Sequence, residues 1–156
     1  MKIAVLKERR PRETRVAASP ETVSKYVAMG LEVVVERGAG EASSFTDEAY
    51  EKAGATIAKD ARAATGGADV IIKVQRPMRG GDGEDELGTL SAGQILISLM
   101  NALSEPDFAA DMAKAGVTGF ALELMPRITR AQSMDVLSSQ SNLAGYRAVL
   151  DGAAVF

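Results

Sequence analysis

The chain has 156 residues, 46% hydrophobic and 25% charged, which is enough for one sizeable core but too short for two ordinary domains. A net charge of -3 without a basic cluster argues against nucleic-acid binding, and no apolar run is long enough to span a membrane. The chain has no Cys, which excludes disulfides and Cys-based zinc sites, and no His, which removes the usual acid or base near neutral pH.

Short apolar runs with strand-like composition alternate with helical patterns. The predicted strands are, in chain order, Lys2–Leu6, Glu32–Glu36, Thr56–Ala58, Asp69–Val74, Gln94–Leu99 and Val117–Leu124. The fourth of them carries a continuous β-branched run, which is typical of a buried strand in a parallel sheet.

Helix signals fall between the predicted strands. Ser19 is a good N-cap, Pro20 suits the first helical position, and Gly30 suits the residue that follows the last turn. Three more helices are predicted to begin near Thr46, Asp60 and Ser104, and the last of these ends at Ala115. The Gly-rich and acidic stretch Arg79–Asp85 is predicted to be a flexible loop.

Repeated strand–helix–strand units predict an α/β fold, in which a parallel sheet is covered by helices on both faces in a flavodoxin-like or Rossmann-like lobe. A final helix is predicted over Ser139–Val155. Its apolar stripe consists of Leu143, Tyr146, Val149, Leu150 and Ala153. Because this pattern reaches Phe156 without a Gly or Pro stop signal, we expect the chain to be cut short inside a helix and to expose apolar surface.

One glycine-rich segment resembles the phosphate loop of a dinucleotide site. Gly38 and Gly40 follow a predicted strand, but Ser43 replaces the third glycine and the next helix begins only near Asp47. The third glycine permits close packing between helix and strand, and the helix N-terminus must face the pyrophosphate. We therefore favour a plain glycine turn over a nucleotide site.

Two cations are candidates for binding a carboxylate ligand. Arg15 follows the first predicted strand and Lys73 lies near the end of the fourth, so both should face the crevice at the carboxyl edge of the sheet. The alternative is that each cation pairs with nearby acids. The sequence leaves both interpretations open.

The richest cluster of polar groups lies between Arg127 and Ser138, after the last predicted strand. A polar segment between a strand and a helix is where α/β proteins place groups that contact ligands. Arg127 can fork onto a carbonyl or phosphate, Gln132 offers a donor and an acceptor, and Asp135 can hold a carboxamide. This mixture favours a ligand role over a plain turn in which Asp135 is a turn residue and Ser138 or Ser139 is an N-cap.

At this segment the sequence resembles a known family. The run from Pro126 to Ser139 (Pro-Arg-Ile-Thr-Arg-Ala-Gln-Ser-Met-Asp-Val-Leu-Ser-Ser) and the run Asn142–Arg147 resemble the NAD(H)-binding alpha subunit of proton-translocating NAD(P) transhydrogenase. Other segments that resemble it are Lys7–Arg9, Glu13–Ala17, Ser19-Pro20, Val35–Gly40 and Asp69–Pro77. The similarity covers essentially the whole chain, which is identified as a member of the alanine dehydrogenase/transhydrogenase N-terminal domain family.

The resemblance implies how the chain is organised. Residues 1–126 form an N-terminal α/β lobe of the alanine dehydrogenase/transhydrogenase type, and residues 127–138 form a loop that faces the nicotinamide. Residues 139–156 start an interdomain helix. The second, Rossmann lobe, which carries the complete glycine fingerprint in that family, is absent, so this chain is expected to be inactive alone.

The same resemblance implies roles for residues of the loop. Gln132 and Asp135 are expected to be catalytic, since Asp135 and Arg127 position the carboxamide and Gln132 contacts the nicotinamide ribose. Ser138 is expected to bond the carboxamide or to close the loop. The residues expected to bind NAD(H) are Arg127, Ile128, Thr129, Arg130, Gln132, Asp135 and Ser138.

The implied function is that of an oxidoreductase which moves hydride between NAD(H) and NADP(H). By the resemblance, a partner component binds NADP(H), and a membrane-spanning component couples the transfer to proton translocation. We expect a homodimer with no nucleic-acid partner and no membrane insertion of its own. Its expected location is the cytoplasm, peripheral to the inner membrane through the partner components.

Two alternatives compete with this function. Alanine dehydrogenase, a close relative, has an Arg and a Lys at positions matching Arg15 and Lys73, which would then be remnants of a substrate cleft, and a His near Leu99–Asn101. That stretch holds no His here, and oxidation of an amino acid requires a general acid or base, whereas hydride transfer between two nicotinamides does not. The other alternative is a non-catalytic lobe for dimerisation or docking.

Overall fold

A computed structural model describes residues 1–155 and contains one sheet of six parallel strands. The strands are β1 (Lys2–Val5), β2 (Glu32–Glu36), β3 (Thr56–Ala58), β4 (Val70–Gln75), β5 (Ile95–Leu99) and β6 (Thr118–Ala121). Their order in the sheet is β3-β2-β1-β4-β5-β6, so the direction of winding reverses between β1 and β4. This is the strand order of the Rossmann fold, and the predicted α/β class is confirmed.

Four α-helices connect strands and a fifth follows the last strand, in agreement with the sequence signals, while β4 and β5 are joined by a segment with a 3₁₀ turn at Leu87–Thr89. The α-helices are α1 (Pro20–Ala28), α2 (Asp47–Lys52), α3 (Ala61–Thr65), α4 (Pro106–Ala115) and α5 (Val136–Val155). The Ser19 side chain accepts the Thr22 N–H at the start of α1, and Asp60 accepts the Ala63 N–H at the start of α3. Within residues 1–155, none of these helices is both long enough and apolar enough to cross a membrane.

Two apolar cores lie on opposite faces of the sheet. Successive strand residues point to opposite faces, so Ala4 belongs to one core and Val5 to the other. Phe108 of α4 is buried in the first core, and Tyr50 of α2 is buried in the second. Helices therefore cover both faces, and the strand ends are left for other contacts.

The structure corrects two predicted boundaries. The sequence predicts a last strand that reaches Leu124, but β6 ends at Ala121 and a 3₁₀ turn over Leu122–Leu124 follows. In this turn the Glu123 carboxylate accepts backbone N–H groups of the turn after β5, which favours the turn over a continued strand. The sequence predicts a last helix that begins at Ser139, but α5 begins at Val136 because Asp135 caps it. Ser138 therefore lies in the first turn of α5.

The apolar stripe of α5 is exposed. None of the residues Val136–Val155 is buried, and Leu143, Tyr146 and Val149 are 61%, 67% and 71% exposed. Val136 and Gln140, in the first turns of α5, contact the rest of the protein.

The glycine turn after β2 is filled by the protein itself. A Cβ on Gly40 would lie 2.6 Å from the Tyr50 ring and 2.8 Å from the Phe45 Cβ, so only glycine fits there. The Gly38 N–H donates to Asp47 Oδ1 at 2.9 Å, which leaves it unavailable for a phosphate. These contacts favour the plain glycine turn over a nucleotide site.

Candidate functional site

Four of the residues predicted to bind the nicotinamide line one small cavity, called here the loop cavity. It has a volume of about 350 Å³. Its lining consists of Pro126, Arg127, Ala131, Gln132, Asp135 and Ser138. Ile128, Thr129 and Arg130 are exposed residues of the same segment, outside the lining of the loop cavity. The structure thus brings Arg127, Gln132, Asp135 and Ser138 together and leaves the other three at the surface.

The segment that carries these side chains is a series of tight turns. Its central part, Thr129–Met134, is a 3₁₀ helix. Ala131 is 4% exposed, and its N–H donates to the Ile128 carbonyl at 2.9 Å, a bond that closes a turn within the segment. Gln132 and Arg127, which are long and polar, are exposed on either side of it.

Asp135 is the N-cap of α5 and is ionised near neutral pH. Its carboxylate accepts the Ser138 N–H at 2.9 Å and the Ser138 hydroxyl at 2.6 Å. These two bonds, assisted by the charge of Arg127 and opposed by slight burial, lower the pKa of Asp135 below its usual value. The sequence left Ser138 or Ser139 open as the N-cap, but the structure makes Asp135 the cap and places both serines inside the first turn of α5. A carboxylate has further lone pairs, so this role leaves Asp135 able to accept a bond from a ligand.

Arg15 and Lys73 line a larger cavity, called here the switch cavity, where the direction of winding reverses. Its volume is about 530 Å³, and Ile97 and Leu99 of β5 contribute apolar lining together with Val136 of α5. Arg15 and Lys73 thus line one cavity at the carboxyl edge of the sheet, as the sequence predicts, and their role as remnants of a substrate cleft stays a prediction.

Both cations of the switch cavity are paired with acids of the chain. The Lys73 Nζ is buried, 2.6 Å from Glu86 Oε1 and 3.7 Å from Glu8 Oε2. Burial outweighs the opposing charge of Lys73 and two backbone N–H groups, so the pKa of Glu8 is raised overall. Because a buried charge without a partner is costly, these acids hold Lys73 in place.

Arg15 forms a second set of ionic contacts. Its guanidinium forks onto Glu13, with distances of 2.8 Å and 2.7 Å, and its third nitrogen donates to Gln140 of α5 at 3.3 Å. The hydrogen bonds from Arg15, opposed by partial burial and helped by Gln75, lower the pKa of Glu13 to about 2. Arg15 therefore links the loop after β1 to α5.

Sequence reasoning misses the partners of these cations. Glu86, Glu13 and Gln140 are not predicted to belong to a site, because Glu86 lies 13 positions from Lys73, and Glu13, although only two positions from Arg15, lies in a polar loop without a regular pattern. Arg15 and Gln140 are separated by 125 positions. The only available signal is that Glu13 lies inside one of the segments that carry the family resemblance.

Comparison with known proteins places the chain in a family. The family described as "Alanine dehydrogenase/PNT, N-terminal domain" matches residues 4–144. The chain belongs to this family. Among its curated relatives is the first portion of an NAD(P) transhydrogenase subunit alpha of Rhodospirillum rubrum, which is 56% identical over 156 residues, covering all of this chain and 41% of the relative.

A solved structure and a second curated relative extend this comparison. The crystal structure of transhydrogenase from Sinorhizobium meliloti matches with a TM-score of 0.91 and 49% identity, covering 99% of this chain and 44% of that one. An alanine dehydrogenase of Methanococcus maripaludis is 35% identical, covering 98% of this chain and 39% of the relative. This member of the alanine dehydrogenase/PNT N-terminal domain family thus spans about two fifths of the length of these curated relatives. The resemblance to the transhydrogenase alpha subunit is confirmed, and alanine dehydrogenase is more distant.

Proposed function

We propose that this domain is a component of an NAD(P) transhydrogenase and that the loop cavity holds the nicotinamide end of NAD(H). The observation that carries the proposal is the lining of the loop cavity, which brings Arg127, Gln132, Asp135 and Ser138 together. A carboxamide presents an NH₂ donor and a carbonyl acceptor, and this lining offers a carboxylate and a guanidinium that complement them.

Each of the four polar lining residues has a role that its chemistry suits. Asp135 accepts a bond from the carboxamide NH₂, and Arg127 donates to its carbonyl. Gln132 contacts the nicotinamide ribose and helps align the donor and acceptor rings. Ser138, already bonded to Asp135, either bonds the carboxamide or closes the loop.

Hydride transfer between two nicotinamide rings requires the protein to orient the rings and to exclude water from the site. When bound, NAD(H) supplies or accepts the hydride, and the residues of the loop need only orient the ring and exclude water. Such a reaction requires no proton-transferring side chain, which agrees with a chain that has no His. Ile128, Thr129 and Arg130 extend the contact at the exposed side of the loop.

The partners of the domain follow from the same proposal. NADP(H) is bound by a separate component, and a membrane-spanning component couples hydride transfer to proton translocation. Ile128 and Met134 are 55% and 51% exposed beside the loop cavity and offer an apolar surface to the NADP(H)-binding component. The protein works as a homodimer, on the cytoplasmic side and peripheral to the inner membrane through these components.

The proposed organisation keeps three segments. Residues 1–126 are the N-terminal lobe and residues 127–138 are the nicotinamide-facing loop, with α5 already begun at Val136. Residues 139–156 continue into the connection with a second lobe.

Gln132 provides the most direct test. In the complete enzyme, we expect Gln132→Ala to lower kcat for hydride transfer from NADH to an NADP⁺ analogue by about 10- to 100-fold, because small misplacements of the ring are costly. Stopped-flow absorbance measures the rate, and Lys52→Ala, an exposed residue of α2 remote from the loop, is the control. An unchanged rate in the Gln132 variant would leave the loop a merely structural or docking element.

The second candidate function, oxidation of an amino acid, is favoured by one observation: Arg15 and Lys73 line the same cavity. Against it, both cations are paired internally, and Leu99 rather than an imidazole lines the cavity at that point. Appreciable oxidation of alanine by the complete enzyme with NAD⁺ would favour this candidate over the transhydrogenase.

A further inference from the structure

Glu123 joins the ends of two neighbouring strands at the carboxyl edge of the sheet. It lies in the 3₁₀ turn that follows β6, and its two oxygens accept N–H groups of the turn that follows β5. Oε2 accepts the Met100 N–H at 3.0 Å, and Oε1 accepts the Ala102 N–H at 2.8 Å. Asn101, between them, has φ of 56°, a left-handed conformation that turns successive N–H groups toward one side.

The carboxylate in this position is a charged acceptor. Partial burial would raise the pKa of Glu123, but the N–H groups of Ala102, Met100 and Asn101 outweigh burial and lower it overall. Charge-assisted bonds of this kind are shorter and stronger than neutral ones. The N–H groups of the turn after β5 therefore bind the ionised Glu123 carboxylate near neutral pH.

The segment between Glu123 and the loop cavity is short and is held by backbone hydrogen bonds. The chain continues from Glu123 through consecutive tight turns to Ala131, which is buried. The backbone bonds of these turns are Met125 N–H to Leu122 O at 3.2 Å, Ile128 N–H to Pro126 O at 2.9 Å and Ala131 N–H to Ile128 O at 2.9 Å. A displacement at Glu123 would therefore be transmitted to Arg127 and to Ala131, the residue that precedes Gln132, rather than absorbed.

The C-terminal end of the segment Arg127–Asp135 is restrained less than its N-terminal end. It continues into α5, which has no buried residue and is linked to the body of the protein near its start, for example by the bond between Arg15 and Gln140. The near end of the loop must then supply much of the positional restraint.

We propose that Glu123 is a positioning residue for the segment Arg127–Asp135. Held by the turn after β5, it sets the place from which this segment departs, and thereby the orientation of Arg127 and Gln132 in the loop cavity. The consequence for hydride transfer rests on the proposed function, whereas the effect on the mobility of the segment does not.

Loop mobility can be read with a single fluorophore because the chain has no Trp. Met134→Trp places a reporter in the segment, and Met29→Trp places one at a remote site that is 73% exposed. Adding Glu123→Ala should lower the steady-state fluorescence anisotropy of the Trp at position 134 and leave that at position 29 unchanged. Glu123→Gln keeps one oxygen acceptor and should restore part of the anisotropy.

Two results of this measurement would overturn the inference. One is an unchanged anisotropy at position 134 in a Glu123→Ala chain that still folds, as judged by circular dichroism. The other is an equal loss of anisotropy at positions 134 and 29, which would indicate general destabilisation.

A second measurement uses the complete enzyme. Glu123→Ala should lower kcat for hydride transfer by about 10-fold with little change in KM for NADH, and Glu123→Gln should recover part of the loss, because misorientation of a bound ring affects the chemical step. A normal rate in the Glu123 variant beside a slow Gln132→Ala enzyme would overturn only this inference. Normal rates in both variants would contradict the proposed function itself.

Discussion

Individual charges at the carboxyl edge of the sheet are fixed by partners distant in sequence. Arg9, which is mostly buried, bonds Glu36 and Glu86, and Glu86 also bonds Lys73. The sequence shows Lys73 as a cation near a strand end, but only the folded chain shows which acids reach it. Since buried charges require compensation, the identity of these partners decides whether a cation is available to a ligand.

Glu13 gives a pH-dependent prediction at this scale. Its folded-state pKa of about 2 lies below the usual value of 4.5, so its contribution to stability is complete above pH 4.5 and is lost as pH falls toward 2. We expect the stability difference between the wild type and Glu13→Gln to be constant above about pH 5 and to shrink progressively below pH 4.5.

Urea denaturation at a series of pH values would measure this difference. Glu51→Gln, which changes an exposed residue of α2, is the matched control and should show a small difference throughout. A difference between the wild type and Glu13→Gln that grows on acidification would contradict the role given to the Glu13–Arg15 pair.

Among the secondary-structure elements, most starts are predictable and two boundaries are not. Caps such as Ser19 and Asp60 act within a few residues, so their signals are local. The end of β6 and the start of α5 depend on Glu123 and Asp135, and for Glu123 the partners lie on another strand end. The apolar pattern that includes Leu122 and Leu124 predicts a continued strand and does not predict the bond between Glu123 and the Met100 N–H.

Helix α5 gives a prediction at the scale of an element. Its exposed stripe should drive self-association, since an exposed apolar stripe of this kind gains free energy when it is covered. Sedimentation velocity should show a concentration-dependent rise in average mass for the wild-type chain. The double variant Tyr146→Lys and Val149→Lys should remain monomeric at concentrations where the wild type associates.

The control for this experiment lies away from α5. Leu103 is 85% exposed, and Leu103→Lys should leave the association unchanged. Association that persists in the double variant but disappears in the Leu103 variant would move the interface from α5 to the turn after β5.

For the whole molecule, the winding of the sheet determines where a ligand can bind. Because all six strands are parallel, the loops that follow them lie at one edge of the sheet, and the reversal of winding opens the switch cavity between β1 and β4. The loop cavity is lined by residues of the segment that follows β6. The glycine turn after β2 is packed by Phe45 and Tyr50 and offers no cradle for a pyrophosphate.

This arrangement predicts weak cofactor binding by the chain itself. Because the proposed role of the loop cavity involves only the nicotinamide end, we expect the affinity of the chain for NADH to be at least about 100-fold lower than that of a full-length alpha subunit, which amounts to about 2.7 kcal/mol. Isothermal titration calorimetry on both proteins measures the ratio. Equal affinities would contradict the claim that the pyrophosphate is held elsewhere.

The sequence by itself determined the α/β class, the positions of the strands and most helix starts, and the family, because periodicity, caps and motifs are local or directly readable. It also predicted the set of polar residues around Gln132. The tertiary structure alone decided that Lys73 and Arg15 are held by acids, that Asp135 caps α5, and that Glu123 ties the loop to the end of β5. The bonds of Lys73 to Glu86 and of Glu123 to the turn after β5 join segments whose separation along the chain follows no period, and only the folded sheet brings them together. Glu13 and Asp135 lie within three residues of their partners, and the backbone conformation of the folded loops selects these bonds over the other local bonds open to the same side chains.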